Sequence, residues 1–272
     1  MNPPRTITIL VALFLLVGSF TLTGAPAITE IPFEMDDPFI TEVPATQFAF
    51  GLAPNAVLAG DLALAESDQY FSDRDLFEEA FQYFKDVAFA AEYGDSEDRL
   101  KRWNQTISVM LEGDYTDDDY AALQQLISWL SWIDGMPPIE IVPEGGNHRF
   151  LFHPLTELET TVPDYPAGNW GLTYIWWDDD GHMTDGLATV ATDVTDQIQR
   201  NHLIQEEFIQ SLGLLYDSYD YADSIFQQEW TETQYPIAID FAVIRMLYSP
   251  ALRMSMNTDQ AYKALLQYYG FN

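Results

Sequence analysis

The chain has 272 residues, enough for one or two domains, and 47% of them are hydrophobic, which excludes disorder by composition. Its formal net charge is −32, with 43 acidic residues against 11 basic ones; such a surface repels phosphate and excludes a nucleic-acid partner. There is no cysteine, which excludes a disulfide framework, a thiolate metal site and a cysteine nucleophile. The acidity reads as a solvated surface. A cationic partner and a saline habitat are the other readings, the latter fitted by lysine occurring only at Lys85, Lys101 and Lys263.

The N-terminus carries an export pattern: Arg5, then an apolar run from Ile7 to Phe20, then Ala25-Pro26-Ala27 as a small-residue cleavage site. At 1.5 Å per residue the run spans about 21 Å, short of a hydrocarbon core of about 30 Å. Residues 1–27 are therefore expected to be a signal peptide. Counted on to Ala27, the segment reaches the length of a retained anchor, the second reading, and a buried helix is the third. Either of the first two places the protein outside the cytoplasm, secreted or anchored at the extracytoplasmic face of the membrane, with no membrane contact beyond this segment. No cysteine follows the segment, so a bacterial lipoprotein anchor is excluded.

Residues 28–67 contain Pro32, Pro38, Pro44 and Pro54 with scattered acids and no sustained periodicity, and read as a tether. Phe33, Phe39, Phe48 and Phe50 leave open some packing onto the domain. The domain is expected over 68–272, with an upper lobe (68–216) and a small helical C-terminal subdomain (217–272). Leu76, Ala80, Phe84 and Val87 recur at helical spacing after Asp73, and Gly94 ends the pattern. Gln105 to Leu111 alternates as a strand. Thr116 is a plausible N-cap for a helix through Trp132, with Asp117 to Asp119 placing negative charge on its first turn. Short strands follow at 139–142 and 149–152, then a proline-punctuated loop, then strands at 172–177 and 187–192. Asp178-Asp179-Asp180-Gly181 lies between the last two; it lacks the D-x-D-x-D-G alternation of a calcium loop and reads as turn chemistry. A helix capped by Asp193 or Thr195 runs to about Leu215, and two more, near Pro236–Tyr248 and Thr258–Tyr269, complete the chain. This order predicts an α+β fold with a modest mixed sheet.

The stretch His202 to Asp217, HLIQEEFIQSLGLLYD, carries the most information. On a helix at 100° per residue, Ile204, Phe208, Leu212 and Leu215 form a core face. His202, Glu206, Gln210 and Gly213 share an opposite arc of about 80°, flanked by Glu207. As an ordinary amphipathic helix it would expose that face, leaving His202 solvated or cap-satisfied; the alternative pairs His202 with Glu206 one turn on. Histidines elsewhere are His148, His153 and His182.

The frame from Glu206 to Tyr216 resembles the HExxHxxGxxH helix of metzincin zinc peptidases. The catalytic-glutamate position is Glu207 and the glycine is Gly213, but the three histidine positions hold Glu206, Gln210 and Tyr216. Downstream, Asp223-Ser224-Ile225-Phe226 is similar to the metzincin methionine turn with Phe226 in place of methionine, and Asp240 with Leu247-Tyr248-Ser249-Pro250 resembles the following helix and its stop. Together with Gly168-Asn169-Trp170-Gly171, these strings resemble an uncharacterised bacterial secreted family, the domain of unknown function DUF2927, over roughly residues 75–265. The resemblance implies a zincin-like lobe in which the strand 172–177 is an antiparallel edge strand facing the 202–217 helix across a cleft.

Zinc favours histidine, cysteine or carboxylate. Glu206 qualifies, Gln210 replaces imidazole poorly, and Tyr216 is a rare ligand, although Asp217 beside it offers oxygen. No zinc and no cofactor is therefore expected; a non-zinc divalent cation on Glu206, Asp217 and water is the alternative. Three functions remain open. The first is an extracellular pseudopeptidase that binds a peptide, protein or glycan in a cleft lined by His202, Tyr216, Asp217, Trp170, Trp176 and Phe226. The second is a hydrolase using Glu207, with Glu206 and Gln210, on a different metal or none. The third is a purely structural envelope protein.

Overall fold

The computed structural model of the chain describes residues 52–89 and 99–271. The expected export segment, most of the expected tether and Gly94 lie outside the described residues. Among the described residues, no helix is long and apolar enough to cross a membrane.

The tether expected over 28–67 ends in ordered structure. Pro54–Glu66 is a helix, α1, continued by a 3-10 turn over Ser67–Phe71. Its buried positions are Ala56, Gly60 and Ala63, while Leu58 and Leu62 face outward. The small residues bring α1 close to Trp129: a Cβ on Gly60 would sit 2.3 Å from the indole ring, whose Nε1 donates to Asp61 Oδ1 at 2.8 Å. A search for apolar periodicity passes over such a helix, because its buried side carries little apolar bulk.

Helix α2 (Arg74–Phe89) follows its sequence pattern, burying Phe77, Ala80, Phe81, Phe84 and Val87 on one side. Helix α3 (Asp117–Leu130) starts at the expected cap. Asp119 N–H donates to Thr116 Oγ1 at 3.2 Å, and Thr116 N–H donates to Asp119 Oδ2 at 2.7 Å, so two of the unpaired donors at the helix start are satisfied reciprocally.

Five strands, β1 (Ile107–Gly113), β2 (Ile139–Ile141), β3 (His148–His153), β4 (Gly171–Trp177) and β5 (Met183–Ala191), form one mixed sheet in the order β2-β1-β3-β5-β4. All pairings are parallel except β4 with β5, which is antiparallel and places β4 at the edge. The β4–β5 connection confirms the turn reading of Asp178 to Gly181: Asp178 Oδ1 accepts from the N–H groups of Asp180 at 3.0 Å and His182 at 2.9 Å. Between β3 and β4, where a loop is expected, Leu155–Thr161 forms a short helix, α4.

Alternation along the strands divides the core. Ile107, Val109, Phe150, Phe152, Ile175, Ala188 and Val190 join the main core with the helices. Leu151, Leu172, Tyr174, Leu187 and Ala191 form a smaller core that α4 closes with Leu158. Helix α5 (Gln197–Gln210) lies against β4 and β5 on the main-core side. Its cap is Asp196, not Asp193 or Thr195, and it again closes a capping box, with Gln199. It stops at Gln210 instead of continuing to Leu215. Gly213, at φ +118, lies in the left-handed region, and its Cα approaches so closely that an added Cβ would lie 2.3 Å from the Lys101 carbonyl oxygen. Helices α6 (Ala238–Tyr248) and α7 (Thr258–Tyr269) stand where the sequence places them.

A buried polar helix as the candidate functional site

Every residue of α5 from Arg200 to Gln210 is buried. This corrects the amphipathic reading: Ile204, Phe208, Leu212 and Leu215 do face the core, but the polar arc opposite them is covered as well. Burying polar groups is unfavourable by a few kcal/mol each unless partners are supplied. The partners come from four separate parts of the chain.

At the start of α5, Arg200 forms an ion pair with the fully buried Asp119 of α3, with Nε to Oδ1 at 3.0 Å. The segment 230–234 covers the next turn. Gln205 Nε2 donates to the Gln234 carbonyl at 2.7 Å, and His202 Nδ1 lies 3.0 Å from the Thr233 carbonyl. A carbonyl only accepts, so Nδ1 carries a proton. His202 Nε2 lies 3.3 Å from Glu206 Oε2, so the helical pair weighed from the sequence forms inside the protein, with both side chains 2% exposed or less. The His202 ring also meets Trp230 edge to face at 5.3 Å, and Trp230 meets Trp170 at 5.4 Å.

Glu207 points at the edge strand. The Thr173 hydroxyl of β4 donates to Glu207 Oε2 at 2.8 Å or to its carbonyl at 2.7 Å. Gly171 permits this approach, since a Cβ there would lie 2.4 Å from Glu207 Oε1. Strand β4 is thus the expected antiparallel edge strand, and it packs directly on α5 through Thr173, where a cleft was expected. Burial, followed by the charge of Glu206, raises the Glu207 carboxyl well above the ordinary range; the Thr173 bond opposes this and the charge of Asp217 adds to it. Gln210 Nε2 donates to Asp217 Oδ1 at 2.8 Å. Glu206 Oε1, Glu207 Oε1 and Gln210 Oε1 are buried and accept no hydrogen bond, and Glu206 Oε2 has the His202 contact. Among the described residues no group of three or more His, Cys, Asp or Glu side chains is arranged to hold a metal ion.

The structure thus gathers Glu206, Glu207, Gln210, His202, Asp217 and Trp170 around one helix face. Tyr216 is nearly buried, with its N–H donating to the Val87 carbonyl at 3.2 Å. Trp176 sits on the opposite side of the sheet, stacked on Tyr174 at 6.3 Å in the smaller core, which separates it from the others. Phe226 is fully buried and meets Tyr83 edge-on at 6.3 Å. Sequence reading missed Thr173, Thr233, Gln234 and Trp230; only the inward register of Thr173, two residues after Gly171, gave a signal.

A second buried network lies below this turn. Tyr83 and Ser224 share a hydrogen bond of 2.6 Å, and Ser224 Oγ lies 2.6 Å from Asp240 Oδ1. Asp240 Oδ2 accepts from the N–H groups of Ile225 at 3.0 Å and Ile237 at 2.9 Å. Burial still outweighs these three donors and pushes the Asp240 carboxyl up to about 6. Asp240 therefore ties the 224–226 turn to the start of α6, a structural account for both strings.

No curated protein matches the chain. A family model matches residues 78–267, spanning α2 to α7 and including the whole polar helix. The chain belongs to the family described as protein of unknown function (DUF2927).

Proposed function

We propose that this chain is an exported protein with a zincin-like lobe that binds a peptide or glycan and does not hydrolyse it. One observation carries the reading: Glu207, the residue in the catalytic-base position of the resembled frame, is fully buried and bonded to Thr173 of the edge strand. A general base must reach a substrate or water proton within about 3 Å, and here the carboxyl is fully buried against the sheet. The zincin-like part rests on the antiparallel edge strand lying against α5 and on the sharp turn at Gly213 that ends the helix. The test is a broad peptide-cleavage screen, with protein purified without chelator, on the native chain and Glu207→Gln. Neither protein is expected to cleave. Zinc-dependent cleavage by the native chain that disappears in Glu207→Gln overturns the proposal.

A second reading, a cation held by Glu206, Asp217 and water, is favoured by Glu206 Oε1, a buried oxygen that receives no donor. Buried acceptors of this kind suit a hard divalent cation, which takes oxygen ligands. Under this reading calcium or magnesium raises the melting temperature, chelator lowers it, and Glu206→Gln abolishes the difference. A melting temperature indifferent to both ions removes it.

A further inference from the structure

We infer that a pocket remote from α5, between the end of α3 and the helices α6 and α7, takes the basic side chain of a partner polypeptide. This goes beyond the binding reading above, at a different place on the molecule. The pocket has a volume of about 340 Å³, room for a side-chain head group. Its walls are aromatic. Phe71 stacks on Tyr269 with centroids 4.4 Å apart, and Tyr268 meets Tyr269 edge-on at 5.0 Å. Trp132 stands at the rim, 75% exposed, and Tyr268 is 53% exposed.

Trp132 is presented by a rigid turn. Its neighbour Ile133 is 4% exposed and its N–H donates to the Leu130 carbonyl at 3.0 Å. A tryptophan held this far out in water is unfavourable for folding and points to contact with another molecule. The charged groups decide which. Arg245 is paired with Asp68, so its charge is compensated within the pocket wall. Asp134 lines the same pocket as a second acidic side chain. The pocket therefore carries an excess carboxylate among aromatic faces, and aromatic faces attract cations. The net charge of −32 adds a field that draws basic segments toward it. A neutral sugar would use the same rings but gains nothing from either charge.

The experiment is titration calorimetry on the full chain in about 0.15 M salt, the physiological ionic strength at which exposed charges are screened. The probe is a capped pentapeptide with one central lysine, and the control is the same peptide with glutamine. Lysine peptide should bind and glutamine peptide should not. Trp132→Ala should weaken binding about tenfold and Asp134→Asn about threefold, since both lie on the surface and leave the fold intact. Asp179→Asn, an exposed acid in the β4–β5 turn, should change nothing. Equal weakening by Asp179→Asn means diffuse attraction and overturns the pocket. Binding of the glutamine peptide, or of a neutral oligosaccharide in preference to lysine, overturns the ligand class. Peptide cleavage in the earlier screen would sink the non-hydrolytic reading while leaving the Trp132 result intact.

Discussion

At the scale of single residues, the informative contrast lies between two buried acids. Asp240 accepts three hydrogen bonds and Glu207 accepts from one hydroxyl, yet burial raises both. A carboxyl whose folded value exceeds its unfolded one binds its proton more tightly in the native state. Its contribution is fully present below the unfolded value and is lost as pH rises through the folded value. For Asp240 the window runs from 3.8 to about 6. For Glu207 it opens at 4.5 and extends upward, each pH unit costing about 1.4 kcal/mol until the folded value is passed. Glutamine imitates the protonated acid, and its carbonyl can still accept from Thr173. Glu207→Gln should match the native chain in urea unfolding at pH 4 and be the more stable of the two at pH 8. A variant less stable at pH 8 would mean that the native carboxylate is ionised and stabilising.

At the scale of elements, α5 depends on partners that lie far off in sequence. Asp119 serves its own helix through the Thr116 cap and also pairs with Arg200 of α5. Asp119→Asn should therefore cost about 3–5 kcal/mol, since it leaves a buried guanidinium uncompensated; a loss under 1 kcal/mol by chemical denaturation would show that the Arg200 charge finds water. Gly213→Ala should cost more than about 2 kcal/mol, combining a left-handed φ with contact against the Lys101 carbonyl. These dependences explain what the sequence makes legible. Signals confined to a few neighbours transfer well: the Thr116 cap, the apolar face of α2, the Asp178 turn and the alternation of β1. The burial of the polar arc of α5 does not, because Thr173, Thr233 and Gln234, which bond to Glu207, His202 and Gln205, come from segments that only the fold brings together. Helix α1 stays hidden for the opposite reason: its buried side is made of Ala56, Gly60 and Ala63, and its large leucines point away. The early end of α5 turns on one glycine whose backbone angle no periodicity encodes.

At the scale of the whole molecule, the net charge of −32 sets a self-repulsion that contact geometry does not cancel. The ion pairs of Arg74 with Glu78 and of Arg149 with Glu112 are largely exposed, and such pairs contribute about 0–1 kcal/mol each. Most of the acidic excess therefore repels through solvent, where salt acts: the screening length shrinks from about 10 Å at 0.1 M to about 3 Å at 1 M. Thermal melting should rise by about 4–8 °C between 0.05 M and 1 M sodium chloride, corresponding to about 2 kcal/mol for a domain of this size. Salt does not enter the core, so the charges within it follow another rule. Glu206 and Glu207 are fully buried and interact across protein, where screening is weak. Glu207→Gln should raise the melting temperature at pH 8 and leave its dependence on salt unchanged, giving two parallel lines. Replacing exposed acids in the β4–β5 turn, Asp179 and Asp180 together with asparagine, should flatten the line instead. A native chain whose melting temperature is level or falling up to 0.5 M salt would show that its surface acids are locally balanced. Lines that converge for Glu207→Gln would show that the α5 cluster is open to solvent ions.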